Sequence, residues 1–96
     1  MPLLSLVAAG VVAGCGGSTV NVNAAFASIQ VDEARIERAS LAMQSSGDDR
    51  AADRDEVCAA STHLCDTARP LDDRDANARC ARAEERCTRA REELAP

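Results

Sequence analysis

Apolar residues are distributed along this chain in two ways: a short continuous run near the start, and spaced positions from about residue 22 onward. The spaced part is helical in period. Positions 22, 26, 29, 33, 36, 40 and 43 follow 3/4 spacing and carry Val22, Phe26, Ile29, Glu33, Ile36, Ser40 and Met43, five of seven apolar. A second line carries Val20, Ala24, Ala27, Val31, Ala34, Arg38 and Leu41, six of seven apolar. Each of its members precedes one of the first line by two residues, so at 100° per residue the two stripes lie on nearly opposite faces. A helix over 24–46 that is apolar on two sides asks for two partners, one within the chain and one in another subunit, unless its Ala-rich second stripe is simply a neutral surface. Gly47 is expected to stop it as a C-cap glycine.

A second helix is predicted from Arg50 to Ala68, with Asp48 and Asp49 at its N-terminus and Pro70 ending it. A third is predicted from about Asp73 to Leu94, capped by Asp72. Its line Ala76, Cys80, Ala83, Cys87, Ala90 and Leu94 is wholly small or apolar, while the other faces are Arg and Glu. That narrow seam is of coiled-coil type. Val57, Leu64 and Leu71 form a heptad line on the second helix, suited to meet Phe26, Ile29, Ile36 and Met43 of the first.

Cysteine spacing turns these elements into an architecture. Beyond Cys15, four remain: Cys58, Cys65, Cys80 and Cys87. Members of each C-x₆-C pair stand two turns apart, about 10.5 Å, too far to bridge within one helix. Antiparallel helices align positions whose numbers share a constant sum, and 58 with 87 and 65 with 80 share the sum 145. Disulfides Cys58–Cys87 and Cys65–Cys80 are therefore expected, and with them an all-α fold: a small helical bundle of one helix plus a disulfide-stapled antiparallel helical hairpin over 48–95. No metal site is expected, because zinc ligands usually stand two to four residues apart and His63 is turned about 140° and 200° from Cys58 and Cys65.

The continuous run, Leu3 to Val12, is half the roughly 20 residues that span a bilayer, and no charged residue occurs from Met1 to Gly14. It ends in Val12-Ala13-Gly14-Cys15. These residues resemble the lipobox of bacterial lipoproteins, over the first 15 positions only, although no Lys or Arg precedes the run as it does in that family. The resemblance implies a signal peptide over 1–14, cleavage before Cys15, and lipidation of Cys15 by a diacylglycerol and an N-acyl chain such as palmitate. It implies a membrane partner through that anchor, and residence in the bacterial cell envelope. Gly16 after the cysteine, rather than Asp, is similar to the pattern that directs lipoproteins to the outer membrane, facing the periplasm. Residues 15–23, with the stretch GGSTVNVN, then read as a flexible tether, and an oxidising compartment suits the disulfides.

Composition removes several classes of function. The net charge is −5, Lys is absent and there is a single aromatic residue, so there is neither a basic footprint for a phosphate backbone nor a stacking platform for bases. No nucleic acid partner is expected. Neither is catalysis, a cofactor or a small-molecule substrate: His63 is the only imidazole, Ser61 two residues before it is on the wrong side of a helix to be its nucleophile, and large apolar groups are scarce. Absence of Lys also removes the chemistry of a Lys-linked peptidoglycan staple. What remains is a non-enzymatic structural or interaction role, with a protein partner or homo-oligomerisation through Val31 and Leu41. An inhibitor or immunity-type binder of an envelope enzyme is the alternative, favoured by six Asp and Glu against three Arg from Asp48 to Arg69.

Overall fold

The computed structural model describes residues 21–45 and 49–94. Cys15, the signal-peptide region and most of the expected tether lie outside the described residues, as does Gly47. Among the described residues three helices follow in order: α1 over Val22–Gln44, α2 over Arg50–Ala68 and α3 over Arg74–Glu93, with a 3-10 turn at Arg69–Leu71 between the last two. The fold is all-α, and α2 with α3 forms the antiparallel hairpin anticipated from the cysteines.

α1 begins at Val22, within the stretch expected to be tether, because Asn21 is an N-cap: its side chain accepts a hydrogen bond from the amide of Ala24 at 3.0 Å. Its far end is extended at Ser45, and the carbonyl of Met43 is taken by the Arg50 guanidinium at 2.9 Å, so the first residue of α2 closes the last turn of α1. Asp73, not Asp72, caps α3, accepting from the Ala76 amide at 2.9 Å. Asp72 instead adopts a left-handed φ of 49° that reverses the chain after the 3-10 turn. Asp tolerates this conformation better than most residues. Asp49 flanks α2 without a side-chain cap bond.

Two disulfides join α2 to α3, Cys58 to Cys87 and Cys65 to Cys80, with Cα atoms 4.7 and 4.8 Å apart. Such close approach is possible because the α3 seam is only Ala76, Cys80, Ala83, Cys87 and Ala90, all buried. The other side of α2 supplies Val57, Ala60, Leu64 and Ala68 to Ile29, Ile36, Ala39 and Met43 of α1, with Phe26, Cys58, Leu71 and Leu94 at the margins of one core. Val57, Leu64 and Ile29 are completely buried.

The α1 seam departs from the expected line in an instructive way. Ile29, Ile36 and Met43 are in it, but the positions between them are Asp32 and Ala39 rather than Glu33 and Ser40. Three apolar residues seven apart fit either a 3+4 or a 4+3 stripe, and both lines hold one carboxylate. The neighbouring helices decide between them: α2 offers a partner for Asp32, while α3 offers one for Glu33.

Candidate functional site

The most developed polar arrangement lies between α1 and α2. Asp32 is a buried carboxylate, its side chain 2% exposed, in the midst of an apolar seam. It accepts from Nη1 of Arg35 at 3.1 Å and meets Nδ1 of His63 at 2.5 Å. Nε of Arg35 in turn donates to Oε2 of Glu56 at 2.8 Å. The chain of contacts thus runs from Glu56 on α2 to Arg35 and Asp32 on α1 and back to His63 on α2. Glu56 and His63 are two helical turns apart, as far as a pair on a facing helix can grip at two points. A buried carboxylate without partners costs several kcal/mol, and the two cationic or N–H donors offset that cost. The Arg35 hydrogen bond holds the Glu56 carboxyl below the usual carboxylate range, and the same bond raises the Arg35 guanidinium above its ordinary value.

His63 is therefore more than the solvated surface residue that its sequence position suggests. Its ring is 59% exposed, yet Nδ1 is oriented by Asp32 while the remainder of the ring faces solvent. Sequence reasoning missed Asp32 because the line through Glu33 was equally plausible; the seven-residue spacing of Glu56 and His63 against Asp32 and Arg35 was the available signal. Ser61 is buried and lines a different groove, over the disulfides with Thr62, Cys65, Cys87 and Thr88. Ser61 and His63 accordingly do not come together.

Between α1 and α3 the contact is made by long charged side chains, because α3 has only Ala and Cys to offer its neighbours. Nη1 of Arg79 reaches Glu33 at 3.0 Å and its guanidinium lies 5.7 Å from the centroid of the Phe26 ring; Arg86 reaches Glu37 at 3.1 Å. Between these struts runs a groove of about 360 Å³, with Ile36 and Ala83 among its lining residues and Arg79, Arg82, Arg86 and Arg89 along one wall.

Cys65, Cys80 and Glu84 are the grouping within metal-ligand reach among the described residues, their ligand atoms within 4.8 Å of one another. The two sulfurs are bonded to each other and so present no thiolate, and Glu84 is held by Arg69 at 3.2 Å. On the outer face of α1, Val31 and Leu41 are 60% and 53% exposed, and Ala24, Ala27 and Ala34 on the same face are exposed too. Among the described residues no helix is long and apolar enough to cross a membrane. No protein-family model, curated protein or solved structure matches this chain.

Proposed function

We propose that this chain is a lipid-anchored protein of the bacterial envelope whose helical head has a non-enzymatic structural or protein-interaction role. The observation that carries the anchoring is the apolar run closed by Val12-Ala13-Gly14-Cys15. Anchoring through several acyl chains is effectively permanent, at about 0.8 kcal/mol per buried CH₂. Interaction is supported by the head itself: two disulfides staple the hairpin, while α1 turns Val31 and Leu41 outward. In this reading the Asp32–His63 contact fastens α1 to α2, since an oriented imidazole without a neighbouring nucleophile does no covalent chemistry. The outer membrane, facing the periplasm, is the location that Gly16 favours.

An inhibitor of an envelope enzyme, using the acidic face of α2, has less support. Glu56 is engaged by Arg35, Asp55 by Arg54 and Asp66 by Arg69, so half of the six acidic groups that suggested it already have an Arg partner within the chain. Cys15→Ser is the experiment that tests the anchor. The variant is expected to lose incorporation of a fatty-acid analogue and to leave the membrane fraction; labelling equal to the unaltered chain overturns the proposal.

A further inference from the structure

The outer face of α1 is spaced so that it can be covered by itself. Positions 24, 27, 31, 34, 38 and 41 alternate steps of three and four, and this series reads the same in reverse. All six residues are exposed, and they lie opposite Ile29, Ile36 and Met43, which face the hairpin. Two copies of α1 can therefore pack antiparallel about a two-fold axis between residues 32 and 33 without disturbing either core.

In that register seam residues whose numbers total 65 face each other, and the residues flanking the seam pair at totals of 67 on one side and 63 on the other. Leu41 then lies over the partner's Ala24, Arg38 over the partner's Ala27, and Val31 over the partner's Ala34. Every layer joins one large side chain to one Ala, which keeps layer volume even and lets the helix axes approach closely. The Arg38 stem covers the partner's Ala27 while its guanidinium reaches water. At the flanks Gln30 meets the partner's Glu37, Ser28 meets the partner's Arg35, and Asn23 meets the partner's Gln44. No like charges are opposed.

Neighbouring registers are worse for physical reasons. A shift of one heptad towards the C-terminus places Glu37 against the partner's Glu37 and Arg35 against the partner's Arg35, stacks Val31 on the partner's Leu41, and leaves Ala24 and Ala27 with no facing residue of the partner helix. The opposite shift leaves Leu41 and Arg38 uncovered. We infer that the partner of this face is a second copy of the chain, docked antiparallel through α1 in the register that sets Val31 on the partner's Ala34. This inference rests on the interaction reading above and names its partner; it does not depend on lipidation.

Both failures can be kept apart by working with the full-length chain carrying Cys15→Ser in detergent, where no anchor exists and the other four cysteines are paired. Sedimentation in density-matched detergent is expected to give a dimer, and Leu41→Glu or Ala34→Glu a monomer with unchanged helicity, since both positions are exposed. For register, spin labels are placed singly at Gln30→Cys and Asn23→Cys. At 1.5 Å per residue, paired labels should lie about 8 Å apart along the axis for position 30 and about 28 Å for position 23. A monomer at hundreds of micromolar, a dimer that survives both Glu substitutions, or equal distances at the two positions, as parallel pairing gives, each overturns the inference.

Discussion

The hairpin and α1 are held by opposite means. Between α2 and α3 the interior is Ala and Cys: it contributes little apolar area per residue, and two covalent bonds fix the register. Between α1 and α2 there is no covalent bond, and Ile29, Ile36, Met43, Val57 and Leu64 supply the large apolar surfaces, with Asp32, Arg35, Glu56 and His63 setting orientation at the edge. A small domain can thus replace bulk by chain-entropy restriction in one half while concentrating its few large side chains in the other. What this teaches is that the two halves should fail under different perturbations.

Reduction is the strongest of these. The bonds close stretches separated by 29 and 15 residues, and a loop of that size corresponds to about 3 kcal/mol in the chain-entropy account. Small domains have total stabilities of only about 5 to 15 kcal/mol. Reduced protein is expected to lose the helicity of α2 and α3, and with them the surface on which α1 rests, as read by far-ultraviolet circular dichroism alongside a thiol count. Four free thiols with helicity undiminished would show that the Ala seam suffices without its staples.

The converse perturbation is Ile36→Ala with both disulfides intact. Ile36 is 3% exposed at the centre of the α1 seam, and removing it from a well-packed site costs about 2 to 5 kcal/mol. Most of the stability of a helix in a protein comes from packing of its apolar face rather than from intrinsic propensity. Hydrogen exchange is therefore expected to show α1 amides losing protection many-fold while those around Cys65 and Cys80 keep theirs. Equal loss in α1 and α3 would mean that the three helices melt as one unit and that the contrast drawn above is only geometric.

These two halves also differed in how far they could be read from the residues. The hairpin was legible to the bond, because Cys58, Cys65, Cys80 and Cys87 constrain register by simple helix geometry and the Ala–Cys line of α3 admits one burial pattern. Helix α2 likewise spans Arg50–Ala68, the bounds expected from Asp48-Asp49 and Pro70, although Asp49 makes no side-chain cap bond. The seam of α1 was less legible: with Ile29, Ile36 and Met43 seven apart, the intervening partner could be 32 or 33, and only the facing helices distinguish them. A buried Asp is also contrary to ordinary burial preference, so the Asp32–His63 contact, which depends on tertiary placement, could not be found from either residue alone. Asp72 was mistaken for the α3 cap because Asp72-Asp73 offers two equivalent carboxylates, and which one caps depends on where the reversing φ falls.

The mildest perturbation is pH acting on the rim of the α1–α2 contact, and it sharpens the comparison because the hairpin staples do not titrate in the acid range. Glu56 is bound by Nε of Arg35 at 2.8 Å, which lowers its carboxyl in the folded protein relative to the ordinary value of 4.5. A depressed folded value means that the contact stabilises fully above the unfolded value and is lost as pH falls through the folded one. The window therefore lies below pH 4.5, and the partner Arg35, held above its ordinary value by the same bond, adds nothing in the accessible range. The Glu56 side chain is 45% exposed, so solvent screening confines the contribution to about 0.5 kcal/mol. Glu56→Gln is accordingly expected to reduce stability slightly at pH 7, by a difference that shrinks in high salt and disappears as the pH is taken well below 4.5, in denaturant titrations of the oxidised protein. A difference that persists unchanged at low pH would locate the effect in the packing of the Glu56 stem rather than in its charge, and α1 would then be held by shape alone.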